Sequence, residues 1–152
     1  MSFDLLAPHY RWMEALCSGG QVQRCRTALL AEIPSPQQVL VYGEGNGRFL
    51  VELCRCFPQS RVTVVEGSGV MIELARERLR REGLADAKVE FIHADALVWQ
   101  PPSAAFDLIV TCFFLDCFRE DQLQKLMPVI ASAATAEGQW LIADFQIAPK
   151  GL

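Results

Sequence analysis

The sequence predicts an α/β fold, built on an open, mainly parallel sheet of about five strands with helices on both faces. Between residues 38 and 146, short β-branched runs alternate with helical patterns, which is typical of right-handed βαβ units. The cores of these runs, such as the Leu-Ile-Val of residues 108–110, are almost continuously apolar, as expected for strands covered on both sides. Gly43, Gly45 and Gly47 separate the first run from the first helical pattern of this region.

Residues 1–34 are predicted to form a helical cap on this core. Apolar residues recur there at helical spacing, and a Ser-Gly-Gly at residues 18–20 interrupts them, so we expect two helices, the second over residues 22–33. A Pro-Ser-Pro at residues 34–36 ends the cap, because proline lacks a backbone donor and disfavours helix in the residue before it. The 152 residues suit one domain, with its core over residues 38–146.

Each element of the core follows from a local pattern. Ser68 can cap the start of the second core helix through its hydroxyl, and Gly83 can end that helix. The predicted strands are Val39–Tyr42, Arg61–Glu66, Val89–His93, Phe106–Cys112 and Gln139–Phe145. The predicted helices are Arg48–Phe57, Ser68–Glu82 and Glu120–Ala133, and residues 94–105 are expected to form a loop.

The composition excludes several classes of protein. The net charge is −4 and no basic block is sustained, so we expect no nucleic-acid partner. No apolar run approaches the roughly 18 residues of a membrane span, and the first residues lack the basic and apolar regions of a secretion signal. The six cysteines form no CxxC pair, so we predict no metal site and expect reduced thiols in a cytoplasmic protein.

The three glycines predict a nucleotide-type ligand at the end of the first strand. Glycine lets the backbone approach a ligand closely, and the helix that follows offers unpaired N–H groups. A dinucleotide fingerprint would place its third glycine at position 48, where this chain has Arg48. A nicotinamide- or flavin-dependent oxidoreductase is therefore the less favoured alternative.

Two acids at neighbouring strand ends fit an adenosine. Glu66 ends the second strand, and its two acceptor oxygens match the two hydroxyls of a ribose. Asp95 follows the third strand, where it can accept the amino group of adenine, and Ala96 leaves room for the ring. The alternatives are that Glu66 is a solvated acid at a strand end and that Asp95 caps a turn.

With these residues in view, the chain resembles the class I S-adenosylmethionine-dependent methyltransferases, a Rossmann-like family for which we expect the strand order 3-2-1-4-5. The resemblance includes FDLLAPHY at residues 3–10, the glycine segment, MIELAR at residues 71–76 and FDLIV at residues 106–110. It implies S-adenosylmethionine as the cofactor. It also implies a cofactor site made of Tyr10, Gly43, Glu44, Gly45, Gly47, Glu66, Gly67, Asp95, Ala96, Cys112 and Phe113.

The chain departs from this family in two places. The family usually has an acid two residues before the first glycine, where this chain has Val41, and Glu44 is the nearby carboxylate that could replace it. The family's sheet also continues through two further strands, which residues 146–152 are too short to supply. We therefore expect either a fragment or a fifth strand covered by the N-terminal helices or by a partner, such as a second copy in a homodimer.

The expected activity is methyl transfer to a small acceptor, apolar or aromatic, because residues 112–118 after the fourth strand are mostly apolar. The Asn/Asp-Pro-Pro-aromatic signature of the amino-methylating DNA enzymes is absent from this place. His9 and Asp116 are candidate acid–base groups, but no catalytic residue is assigned. The alternative is a non-catalytic binding module with a methyltransferase-like fold.

Overall fold

The structure, a computed structural model, describes residues 20–144. The first predicted helix and Phe145 lie outside this part of the chain. The strands are β1 (Gln38–Tyr42), β2 (Arg61–Glu66), β3 (Val89–His93), β4 (Phe106–Cys112) and β5 (Ala134–Ala143). The helices are α1 (Gln21–Thr27), α2 (Arg48–Cys56), α3 (Gly69–Arg81) and α4 (Glu120–Ser132), with short 3-10 turns at Leu30–Glu32 and Leu115–Cys117.

The five strands form one sheet in the order β3-β2-β1-β4-β5, and all neighbouring strands are parallel. The predicted fold class and strand order are therefore confirmed. The central strand β1 shows why both faces are covered, since its side chains alternate between two apolar clusters. Val39 and Val41 pack with α2 and α3, whereas Leu40 and Tyr42 pack with α4 and the loop after β3. All four side chains are at most 2% exposed.

An acid at the start of β4 aligns the centre of the sheet. The two carboxylate oxygens of Asp107 accept hydrogen bonds from the backbone N–H groups of Gln37 and Gln38, at 2.7 and 2.9 Å. Gln38 begins β1 and Gln37 directly precedes it, so the bonds connect the amino ends of the two central strands. Bonds of this kind to an ionised group are stronger than neutral ones.

Two predicted elements differ from the observed ones. The helix predicted over residues 22–33 ends at Thr27, whose hydroxyl donates to the carbonyl of Gln23, and a 3-10 turn follows. The fifth strand was predicted as Gln139–Phe145 but runs from Ala134 to Ala143. Its first residues are half-buried or exposed, and the pairing with β4 shifts register between Ala134 and Gln139, so the sequence there does not show a strand's alternation.

Within residues 20–144, no helix combines the length and the apolar character that a membrane crossing requires.

Candidate functional site

The carboxyl ends of four strands meet at one edge of the sheet. The backbone N–H of Gly43, just after β1, bonds to the carbonyl of Val65 on β2 at 3.0 Å. Ala94, after β3, bonds in the same way to Glu66, and β4 ends on the other side of β1. The chain leaves β1 toward β2 and returns through β4, so this edge is the switch point at which open α/β sheets form a crevice.

The three glycines after β1 have different surroundings. A Cβ atom built on Gly47 would lie 2.8 Å from the Cα of Ala75, so Gly47 lets α3 pack against the loop. A Cβ on Gly43 would lie 2.4 Å from a ring carbon of Phe114. A Cβ on Gly45 would meet none of residues 20–144 within 4 Å. Gly45 is thus the glycine whose backbone faces open space.

Glu66 fastens the glycine loop to the end of β2. One carboxylate oxygen accepts the N–H of Gly45 at 3.1 Å, and the other accepts the N–H of Ser68 at 3.0 Å. Ser68 in turn caps α3, because its hydroxyl accepts the N–H of Met71. Each oxygen of a carboxylate has two lone pairs, so both oxygens of Glu66 can accept a further hydrogen bond from a ligand.

Asp95 is exposed at the neighbouring strand end. Its Oδ1 accepts the N–H of Leu97 at 2.8 Å. Asp95 is therefore a turn cap as well as a candidate ligand-binding residue. Within residues 20–144, its Oδ2 has no hydrogen-bond partner. A Cβ atom built on Gly67 would lie 3.9 Å from the carbonyl oxygen of Ala94, so the ends of β2 and β3 are adjacent. The sequence expectation that Glu66 and Asp95 share one edge agrees with this geometry.

A groove of about 450 Å³ begins at Ala96, the predicted neighbour of an adenine ring. It runs between the loop after β3 and α4, with Leu97, Leu126 and Val129 as apolar lining. Gln100, Arg119, Asp121, Gln122 and Lys125 provide polar groups along it.

Glu44 is buried and turned toward α2. It is 7% exposed, and its Oε1 accepts the N–H of Leu50 in the first turn of that helix at 3.0 Å. Burial raises the pKa of Glu44 to about 7, although the nearby positive charge of Arg26 opposes this rise. Val41, at the position of the family's usual acid, is 2% exposed in the apolar core. Glu44 lines the same small cavity as Val41, together with Arg26 and Gly43.

Arg26 is a candidate site residue that the sequence did not indicate. It extends from α1, is 5% exposed, and places its guanidinium carbon 5.4 Å from the centre of the Phe113 ring. The helix is held beside the site by a bond from the side chain of Gln23 to the carbonyl of Arg48, at 3.0 Å. Nothing in the sequence distinguishes Arg26 from the exposed Arg24 two residues earlier.

The end of β4 and the residues after it form the opposite wall of the crevice. Cys112 is buried, which raises the pKa of its thiol to about 12, so the thiol stays protonated. Phe113 has a positive φ of 51°, and its N–H bonds to the carbonyl of Ala143 at the end of β5. This turn directs Phe114 onto the glycine loop. Phe114 is a second residue that the predicted site omitted, although the apolar segment containing it was expected to face the acceptor.

Asp116 lies in the 3-10 turn that follows. Partial burial and the negative charge of Asp144 raise the pKa of Asp116. The carboxylate of Asp144 accepts the N–H groups of Leu115 and Asp116, at 3.1 and 3.3 Å, so it caps this turn from the end of β5. A carboxyl group with a raised pKa is suited to exchange protons with a ligand.

Two predicted site residues, His9 and Tyr10, lie outside the described residues. Within residues 20–144 no group of three or more metal-binding side chains occurs. The cysteines of this part, Cys25, Cys54, Cys56, Cys112 and Cys117, are free thiols.

Comparison with known proteins identifies relatives. Residues 39–138 match the family model described as a methyltransferase domain. The demethylmenaquinone methyltransferase of Thermus thermophilus is 29% identical over 153 residues, which cover 98% of this chain and 66% of that protein. The trans-aconitate 2-methyltransferase of Paracidovorax citrulli is 36% identical over 103 residues, covering 64% of this chain and 37% of that protein.

A solved structure, that of the S-adenosylmethionine-dependent methyltransferase SibL, is 26% identical with a TM-score of 0.70, and the match covers 88% of this chain and 38% of that one. The chain thus spans between 37% and 66% of the length of the two curated relatives. The match to the family model covers most of the sheet, from β1 into β5. The chain therefore belongs to the methyltransferase domain family, which confirms the resemblance seen in its sequence.

Proposed function

We propose that the chain binds S-adenosylmethionine and transfers its methyl group to a small acceptor. The observation that carries this proposal is the position of Glu66, whose carboxylate joins the open backbone at Gly45 to the end of β2. A ribose lying on this loop would reach both oxygens of that carboxylate. The family membership and the similarity to the three methyltransferases described above support the same activity.

The residues of the crevice fit this cofactor. The open space at Gly45 admits the ligand to the backbone, and Asp95 has an oxygen that can accept the amino group of adenine. Ala96 and the mouth of the groove beside it would receive the ring. On the other side, Gly43, Cys112 and the aromatic wall after β4 would enclose the amino-acid end. Gly67 would border the adenine side of the cofactor and Glu44 its amino-acid end. Gly47 would contribute indirectly, because it allows α3 to pack against the glycine loop.

When bound, S-adenosylmethionine supplies a methyl group already activated by its sulfonium. The chain's own residues then have to align the acceptor with that methyl group and exclude bulk water. The wall of Phe113, Phe114 and Leu115 is suited to both tasks, because it is apolar and half-buried. This wall supports a small acceptor of apolar or aromatic character.

Asp116 is proposed as the proton acceptor where the acceptor carries a proton that must leave. Its raised pKa, caused by partial burial and by Asp144, brings the carboxyl closer to the pH at which it can exchange protons. His9 remains a second candidate that lies outside the described residues. The five free thiols of residues 20–144 fit a reducing compartment such as the cytoplasm.

The assembly proposed for the chain is a homodimer through the β5 edge. Within residues 20–144, β5 is an edge strand of the sheet, and Ile142 on it is 47% exposed, so both its backbone edge and this apolar side chain favour pairing with another strand. Sedimentation of the wild type and of Ile142→Lys tests this. A dimer that the substitution converts to a monomer supports the proposal, whereas a wild-type monomer at all concentrations contradicts it.

A non-catalytic binding module is the second candidate. It is favoured by the burial of Val41, because the position of the family's usual acid lies in the apolar core and offers no charge to a ligand. Such a module would fold normally and bind an acceptor-like molecule without turning over a methyl donor.

Calorimetry with S-adenosylhomocysteine, the demethylated product, tests the first proposal. We expect wild-type binding, and a loss of about 1–3 kcal/mol in Glu66→Gln and in Asp95→Asn, which each remove a charged acceptor. Glu90→Gln is the matched control, since Glu90 is an exposed acid on β3 away from the strand end. Absence of binding to a folded wild type would contradict the proposed cofactor. Binding without methyl transfer to any acceptor would favour the module.

A further inference from the structure

The helix after the glycine loop, α2, is capped by an acid from inside the loop. Its N-cap residue is Gly47, which has no side chain to accept a hydrogen bond, and its first turn contains no acidic residue. Glu44, three residues before Gly47, provides the acceptor, because its Oε1 accepts the N–H of Leu50 at 3.0 Å. The helix dipole also favours a negative charge at this end. An anion that belongs to the protein therefore occupies the start of α2.

The start of the helix after the first strand is where open α/β folds bind nucleotide phosphates, because free N–H groups and the positive end of the helix dipole meet there. In this chain, two donors of the loop and the helix start are already bonded to carboxylates. Glu44 accepts the N–H of Leu50, and Glu66 accepts the N–H of Gly45 at 3.1 Å. A phosphate that approached the loop would meet donors already bonded to groups of its own charge.

The charges around Glu44 are negative in sum. Its electrostatic neighbours are the cation Arg26 and the acid Glu66, so two carboxylates stand against one guanidinium. The thiols of Cys54 and Cys112 also face Glu44, but they are neutral because burial raises their pKa to about 11 and about 12. Burial raises the pKa of Glu44 itself to about 7, a rise that Arg26 opposes, so Glu44 is mostly ionised at pH 8.

We propose that Glu44 selects the class of ligand at the glycine loop, by excluding nucleotides that carry phosphate groups and admitting an adenosine that carries sulfur in their place. The carboxylate repels a phosphate and withholds the N–H of Leu50, which would otherwise compensate its charge. This inference rests on the proposed function, because S-adenosylmethionine is an adenosine of the admitted kind. It goes further by naming the residue that separates the two classes of cofactor.

Titration calorimetry at pH 8 with adenosine diphosphate and 5′-methylthioadenosine tests the assignment, since the second ligand has a neutral thioether where the first has its phosphates. We expect the wild type to prefer the thioether. Glu44→Gln keeps the size of the side chain and an acceptor oxygen for Leu50, and it should shift the ratio of the two affinities toward the diphosphate by about 10-fold or more. Glu44→Ala should shift the ratio further, because it also releases the N–H of Leu50.

The same titrations at pH 6 separate charge from shape. Wild-type Glu44 is mostly protonated at this pH, so the difference between the wild type and Glu44→Gln should become smaller. Titration of the diphosphate itself acts equally on both proteins. A difference that is as large at pH 6 as at pH 8 would overturn the assignment of the selection to the charge of Glu44.

Glu52→Gln is the matched control, because Glu52 is an acid of the same helix that is half-exposed and paired with Arg55. It should leave the ratio of the two affinities unchanged. A wild type that binds both ligands equally at pH 8 would overturn the assignment, as would an unchanged ratio in both folded Glu44 variants. Wild-type protein that binds neither 5′-methylthioadenosine nor S-adenosylhomocysteine contradicts the proposed cofactor itself, and the assignment with it.

Discussion

Substitution of Glu44 by Gln should make the protein more stable at alkaline pH and change its stability little at acidic pH. Glu44 is 7% exposed, and its Oε1 accepts the N–H of Leu50. Glutamine keeps an acceptor oxygen for that bond but cannot ionise. The comparison therefore isolates the cost of a negative charge beneath the glycine loop.

The magnitude follows from the pKa. Burial raises the pKa of Glu44 to about 7 from the value of 4.5 in water. Between these two values the folded protein holds a proton that the unfolded chain has released, so stability falls as the pH rises. Each pKa unit corresponds to about 1.4 kcal/mol, so the wild type should lose about 2–3 kcal/mol between pH 5 and pH 8 relative to Glu44→Gln. Below pH 4.5 both the folded and the unfolded protein hold the proton, so the wild type loses no stability relative to Glu44→Gln.

Urea unfolding of both proteins at pH 5, 6, 7 and 8 measures this difference. Other titrating groups act equally on the two proteins, and a constant offset from the amide group cancels in the pH dependence. Glu52→Gln serves as a control, because Glu52 is on the same helix but half-exposed and paired with Arg55. A stability difference between wild type and Glu44→Gln that stays constant across this pH range would refute the reasoning and indicate that Glu44 is ionised throughout.

Tyr42→Phe should raise the melting temperature by several degrees, because the buried hydroxyl of Tyr42 has no hydrogen-bond partner within residues 20–144 and its removal relieves about 1–3 kcal/mol. Gly47→Ala should destabilise strongly, since the new Cβ would meet the backbone of Ala75, whereas Gly45→Ala should cost only about 1 kcal/mol of backbone strain. Asp107→Asn should lower the urea midpoint by the equivalent of about 1–3 kcal/mol, because it weakens the two bonds that hold the start of β1.

Each of these three predictions would be contradicted by a specific result. A less stable Tyr42→Phe would show that an ordered water satisfies the hydroxyl. Equal effects of alanine at positions 45 and 47 would show that α3 moves to accommodate the side chain. An unchanged midpoint in Asp107→Asn would mean that neutral hydrogen bonds align the strands equally well.

Much of the sheet could be predicted because its strands are short apolar runs with clear ends. The bounds predicted for Arg61–Glu66, Val89–His93 and Phe106–Cys112 are those observed. Ser68 and Gly83 also occupy the predicted ends of α3, the first as a hydroxyl cap and the second with a φ of +73°. Local chemistry fixes these features, so the sequence alone was sufficient.

The remaining features depend on partners far away in the chain. Residues 134–138 were expected to be a loop, none of them is buried, and it is their pairing with β4 that makes them part of a strand. Arg26 and Phe114 act through contacts with Phe113 and Gly43, which no spacing rule connects to them. The nicotinamide alternative, kept open by the glycines, is set aside by the family match.

The cap that Asp144 places on the turn after β4 has a mechanical consequence. Two backbone N–H groups of the acceptor wall are tied to the tip of the edge strand rather than to the centre of the sheet. A molecule that binds to the end of β5 and displaces it would therefore also displace the backbone of Leu115 and Asp116, where the acceptor is proposed to lie. We therefore expect a change in the position of the end of β5 to alter the shape of the surface proposed for the acceptor.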